Sequence, residues 1–172
     1  RVPALGFGAA PLGNLYRAMT DEEACSLLHA AWSAGVRYFD TAPLYGFGLS
    51  ERRLGEFLRG RPRDDFVLST KVGRVLRPND GWHAQRDYFI DTPPFEPVFD
   101  YSYDGVMRSF DASLERLGVD RIDILLMHDV GEKTHGAAHE QLFEAAMGGG
   151  YRAMEELRRS GAVGAIGIGA NE

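Results

Sequence analysis

The segment Phe66-Val-Leu-Ser-Thr-Lys-Val72 lies between the polar run 59–65 and Gly73, and most of its residues are apolar or β-branched. That length and composition read as a β-strand. Apolar and polar residues do not alternate along it, so both faces are expected to be buried, as in a parallel sheet covered by helices. Four more segments share this character: Ala4-Leu-Gly-Phe-Gly8, Val36-Arg-Tyr-Phe-Asp40, Ile122-Asp-Ile-Leu-Leu-Met-His128 and Ala162-Val-Gly-Ala-Ile-Gly-Ile168.

Helical patterns fill the gaps between these strands. Thr20-Asp-Glu-Glu23 forms a capping box, and Ala24, Leu27, Leu28, Ala31 and Ala34 follow at helical spacing to a stop at Gly35. Ser50 is expected to cap a short helix carrying Leu54, Phe57 and Leu58, closed by Gly60 and Pro62. From Asp104, the residues Val106, Met107, Phe110, Leu114 and Leu117 share one helical face that ends at Gly118. Residues 142–147 and 151–159 read as helical, with Gly161 as the cap. Two stretches read as irregular: 73–100, with four prolines, and 130–139. The first is long enough to be a functional lid. The β-α-β-α-β-α-β-α-β order requires parallel strands with crossover helices. An open doubly wound sheet and a (β/α)8 barrel both satisfy it. A barrel needs eight strands and typically ~250 residues, so a barrel here is an incomplete one.

A chain of 172 residues predicts one domain or a piece of one. With 44% hydrophobic and 26% charged residues it is a globular composition, not a disordered one. The net charge of −6 and the lack of a Lys/Arg cluster argue against nucleic acid or an anionic membrane as partner. No apolar run reaches the roughly 18–20 residues that span a bilayer. The single cysteine, Cys25, cannot form an internal disulfide, which makes a reducing cytoplasm the expected location; it lies on an apolar helical face and is expected in the core. Lys71 and Lys133 are the only lysines, against 17 arginines. A lysine inside an apolar strand of such a chain calls for a reason.

Polar residues gather at the C-terminal ends of the strands: Asp40, Lys71, His128 and Asn171. In parallel α/β architectures those ends converge on one face, where active sites lie. Tyr45, on the loop after Asp40, can lean over the same face. A tyrosine with its ordinary pKa of ~10 exchanges protons poorly near neutrality, and an adjacent ammonium favours its phenolate. Asp40 would keep Lys71 charged and aimed, and His128 can donate a hydrogen bond to a substrate oxygen. Together they form an acid/base centre for a carbonyl or alcohol oxygen. None of these groups accepts a hydride, so redox use requires a nicotinamide cofactor. Two other readings stand at this point: Lys71 and Asp40 as a structural ion pair, and Lys71 as a Schiff-base nucleophile of a barrel lyase.

The strings Phe39-Asp-Thr-Ala-Pro-Leu-Tyr-Gly-Phe-Gly-Leu-Ser-Glu51, Leu68-Ser-Thr-Lys-Val-Gly73, Asp123-Ile-Leu-Leu-Met-His128 and Ile166-Gly-Ile-Gly-Ala-Asn171 resemble the aldo-keto reductase family over essentially the whole chain. The resemblance implies a (β/α)8 TIM barrel, of which residues 1–172 would form a single domain holding about the first five βα units and ending before the last three. It also implies NAD or NADP as cofactor and a catalytic tetrad of Asp40, Tyr45, Lys71 and His128. Gly8, Ala9, Asp40 and Asn171 fall on cofactor-binding positions; the family's serine beside that asparagine is Ala170 here. Tyr45, His128 and Trp82 would meet the substrate. Gly6–Asn14, Val98–Gly105 and Met127–Gly131 are similar to the family branch that acts on D-threo-aldoses, L-fucose and pyridoxal, which implies a small sugar or aldehyde substrate and lactone formation. Members of such families also serve as nucleotide-sensing regulatory subunits. The arginine habit fits a bacterium with GC-rich codons.

Other motifs are weaker. Gly6-x-Gly8 runs on to Pro11 without a third glycine or a helix, which rejects a dinucleotide fingerprint, and no P-loop is present. His135 and His139, with Asp129 and Glu140 nearby, invite a metal reading, but they lie in an irregular Gly-rich segment with no second Cys and no H-E-x-x-H, so no metal is expected. Trp82 and Tyr88, in the long loop, are expected either to close over a substrate or to pack as a solvent-facing lid.

Overall fold

The computed structural model describes residues 2–79, 81 and 88–171. Its strands are β1 (Phe7–Gly8), β2 (Tyr38–Asp40), β3 (Val67–Val72), β4 (Arg74–Pro78), β5 (Phe95–Phe99), β6 (Ile122–His128) and β7 (Val163–Gly169). Its helices are α1 (Asp21–Ser33), α2 (Leu49–Leu58), α3 (Tyr103–Leu117), α4 (Glu132–His135), α5 (His139–Ala145) and α6 (Tyr151–Arg159). Five strands form one parallel sheet in the order β1-β2-β3-β6-β7. Each new strand is added beside its predecessor. A doubly wound sheet reverses direction at a switch point, whereas a barrel adds strands in chain order. The order therefore selects the barrel.

Apolar side chains from the outer sheet face and the helices form one core, with Phe39, Leu68, Leu125 and Met127 against Leu28, Leu54, Val106, Phe110 and Leu157. The capping box of α1 is complete: Thr20 Oγ1 accepts from the Glu23 amide, and Glu23 Oε2 accepts from the Thr20 amide. Helix α3 is capped by Ser102, whose Oγ accepts from the Gly105 amide, and it ends at Gly118 in the left-handed region.

Several expectations from the sequence are corrected. Segment 73–100 contains an antiparallel ribbon, with Arg74 opposite Phe99 and Leu76 opposite Pro97. Its prolines disguise it, because a two-stranded ribbon has free edges where a residue without an N–H is tolerated. Segment 130–139 is helical in short turns. Ser50 does not cap α2, whose N-cap is Gly48; the Ser50 hydroxyl instead donates to the Ala9 carbonyl and pairs with Thr41 Oγ1. Cys25 and Leu27 are exposed. Helix α1 meets the core along the narrow stripe Ala24–Leu28, which leaves its flanking positions outside. Among the described residues, no helix is long and apolar enough to cross a membrane.

Candidate active site

Period-two alternation places Ser69 and Lys71 on the inner sheet face, beside Asp40 of β2. The Lys71 ammonium donates to Asp40 Oδ2 and to the Thr41 carbonyl, each at 2.8 Å. Ser69 Oγ donates to Asp40 Oδ1 at 2.6 Å and lies 3.2 Å from the Tyr38 hydroxyl. Lys71 is 5% exposed, so its charge is held where water reaches it poorly. Without the Asp40 carboxylate that burial would be costly.

Tyr45 stands on the turn after β2. Gly46 follows it at φ +64°, and a Cβ at Gly13 would lie 2.4 Å from the Tyr45 carbonyl carbon. Backbone-to-backbone contact between 13 and 45–46 thus pins the loop that carries the tyrosine. The Lys71 ammonium lies 4.7 Å from the centre of the Tyr45 ring. His128 meets the same ring edge-on, with centroids 6.0 Å apart. Burial, reinforced by Arg74 and Lys71, pushes the His128 imidazole down to about 2. It is therefore neutral at physiological pH, a single N–H donor.

The structure brings Asp40, Tyr45, Lys71 and His128 into one cluster, as the sequence leads one to expect. Gly8 pairs in register with Asp40, and a Cβ there would meet open space. Asn171 is exposed just beyond β7. Ala9 differs: it is fully buried, its N–H donates to Asp40 O and its carbonyl accepts from Ser50, so it presents nothing to the open face. Trp82 lies outside the described residues. Tyr88 is exposed against Tyr16, and its neighbour Phe89 is the ring that reaches Tyr45, at 6.3 Å. His135 bonds the Tyr101 hydroxyl through Nε2 at 3.0 Å and packs on Phe99. Among the described residues no cluster of three His, Cys, Asp or Glu side chains could hold a metal.

Sequence reasoning did not bring together Ser69 with Asp40, or Arg74 with Asp129, pairs whose side chains each meet at 2.6 Å. Ser69 was within reach, since alternation puts it on the Lys71 face. Asp129 and Arg74 were not, because their meeting depends on the β4–β5 ribbon. A groove of about 1030 Å³ between α1 and α2 carries none of these groups and lies on the outer helical layer.

Strands laid down in chain order, with polar groups gathered at their C-terminal ends, are the properties of an α/β barrel that works from one face. Residues 4–172 match the Aldo/keto reductase family, and the chain belongs to it. It is 47% identical to a D-threo-aldose 1-dehydrogenase from Pseudomonas over 98% of this chain and 50% of that protein. It is 46% identical to a pyridoxal 4-dehydrogenase from Microbacterium luteolum, over 99% of this chain and 53% of the relative. The chain spans about half the length of these curated relatives. A holo-form aldo-keto reductase structure from Bacillus halodurans superposes with a TM-score of 0.72 at 29% identity, over 99% of this chain and 47% of that one. A Klebsiella pneumoniae aldo-keto reductase in complex with NADPH gives 0.66 at 26% identity, over 97% and 45%.

Proposed function

We propose that the protein is an NAD(P)-dependent oxidoreductase that oxidises the anomeric hydroxyl of an aldose of the D-threo or L-fucose type to the lactone, with Tyr45 as the general base. The observation that carries this reading is the Lys71 ammonium, 2.8 Å from Asp40 and 4.7 Å from the Tyr45 ring centre, with His128 edge-on to that ring. The ammonium sets a fixed positive charge beside the ring whose hydroxyl handles the proton. Neutral His128 donates its N–H to the reacting oxygen and orients it. Lys71 spends hydrogen bonds on Asp40 and Thr41, which suits a fixed charge better than a Schiff-base nucleophile.

The nicotinamide of a bound NAD or NADP would supply the hydride acceptor that the side chains lack. Gly8, with open space beside its backbone, Asp40, and Asn171, whose amide matches a carboxamide in donors and acceptors, are the residues here that would hold it. The names of the relatives support the substrate class, and the similarity to the Microbacterium luteolum protein makes pyridoxal the second candidate.

The test is steady-state oxidation of L-fucose and pyridoxal by the full-length protein with NAD+ and with NADP+. Tyr45→Phe is expected to lower kcat by about 10²–10⁴-fold while nucleotide affinity stays within a few-fold. Near-normal turnover by the variant would remove Tyr45 from the role. A borohydride-trapped adduct on Lys71 would replace the reading with a lyase.

A further inference from the structure

Asp129 follows His128 at the end of β6, and regular strand geometry would send the two side chains to opposite faces. Asp129 instead adopts φ +50°. This left-handed conformation is uncommon outside glycine, and aspartate is among the residues that accept it. It turns the carboxylate back toward its own neighbour, so that Oδ2 lies 3.4 Å from His128 Nε2. The turn is locked on three sides: the Asp129 amide donates to the Gly169 carbonyl, and the Tyr101 hydroxyl donates to the carbonyls of His128 and Asp129.

Arg74 enters from β4. One of its terminal nitrogens donates to Asp129 Oδ2 at 2.6 Å, and its guanidinium lies over the Phe99 ring. The two side chains are only 13% and 10% exposed. A buried ion pair is by itself weak evidence for a function. This one has spare capacity, however. Arg74 Nε is buried with no hydrogen-bond partner, although the same guanidinium is bonded to Asp129 through a terminal nitrogen. A guanidinium with an unmet donor, set against a carboxylate 3.4 Å from the imidazole, matches a ligand that brings a hydroxyl, which can accept from the one and donate to the other.

We propose that the Arg74–Asp129 pair is a hydroxyl-reading subsite, which binds the hydroxyl on the carbon next to the reacting one and so selects 2-hydroxylated hemiacetals over their 2-deoxy analogues. This rests on the proposed oxidation of a hemiacetal. In that reaction the reacting oxygen sits against His128 Nε2, and the vicinal hydroxyl is one carbon further on. The carboxylate accepts that hydroxyl's proton in a hydrogen bond and the guanidinium donates to its oxygen. A site built around such a pair discriminates strongly, because the analogue without the hydroxyl covers the pair without meeting its remaining hydrogen-bonding capacity.

The experiment compares kcat/KM of the full-length protein for L-fucose, 2-deoxy-L-fucose and the bare hemiacetal 2-hydroxytetrahydropyran, and repeats the series with Asp129→Asn and Arg74→Gln. In the unsubstituted protein, L-fucose is expected to exceed both analogues by about 10²-fold or more. In each variant the ratio of L-fucose to 2-deoxy-L-fucose should fall toward one. Equal rates on all three substrates in the unsubstituted protein overturn the subsite while leaving hemiacetal oxidation intact. Variants that slow every substrate by the same factor also overturn it, and reduce the pair to a support for His128. Oxidation of none of the three overturns the hemiacetal reading and the subsite with it. The substrate series in the unsubstituted protein decides the matter even if a variant does not fold.

Discussion

His128 shows how far environment governs a single side chain. Its imidazole is held down at about 2 by burial, with Arg74 and Lys71 adding to the effect, against an ordinary 6.5. The folded protein keeps it neutral, while the unfolded chain binds a proton once the pH drops below about 6.5. Stability is therefore expected to fall on acidification through that range, by up to ~1.4 kcal/mol per pH unit from this group. His128→Gln removes this contribution. Melting temperatures measured at about pH 7.5 and about pH 5 should show the gap between the unsubstituted protein and the variant narrowing at the lower pH. A gap that stays constant would mean that His128 gains a proton in the folded state.

At the scale of elements, close approach is what fixes the layout around the site. Gly55 lies within α2, and a Cβ there would come 2.4 Å from the Leu117 carbonyl oxygen at the end of α3. Alanine is the better helix former by up to ~1 kcal/mol, yet Gly55→Ala is expected to cost about 1–3 kcal/mol because two backbones must separate. Gly148 serves as the comparison: it lies in the π-helical turn 146–150 before α6, where a Cβ meets nothing within 4 Å. Gly148→Ala should be neutral or stabilising by up to ~1 kcal/mol. Urea denaturation of the two variants checks both signs. A second element-scale device is the segment 88–90, which pairs with 14–16 through Tyr16 N to Tyr88 O and Ile90 N to Asn14 O. It buries Phe89 against Tyr45 and Phe47, so a chain stretch far from the tyrosine in sequence forms one wall beside it.

At the scale of the whole molecule, the sheet order among the described residues leaves β1 and β7 at the edges and β2, β3 and β6 flanked on both sides. Edge backbone groups open with less cost than those paired on both sides. Hydrogen exchange of this chain is expected to show β3 and β6 amides outlasting those of β1 by orders of magnitude. Equal protection would show the edges covered, as when two copies pair.

The alternation of short apolar strands with capped helices was legible in the sequence because burial on both faces removes polar residues from a strand. The Asp40, Tyr45, Lys71 and His128 cluster was legible for a related reason: in parallel α/β folds the strand ends meet wherever the strands do. The place of Lys71, one of two lysines against 17 arginines, inside an apolar strand sharpened it. What tertiary structure alone decided is what depends on contacts distant in the chain. Strand order separated a barrel from a doubly wound sheet, a choice that local patterns leave open. The β4–β5 ribbon was hidden by its prolines, and with it the approach of Arg74 to Asp129 across 55 residues. The exposure of Cys25 and the burial of Ala9 were settled in the same way. Local residue type sets what a segment prefers, and the neighbours brought to it by folding set which of its groups are covered, charged or free to bind.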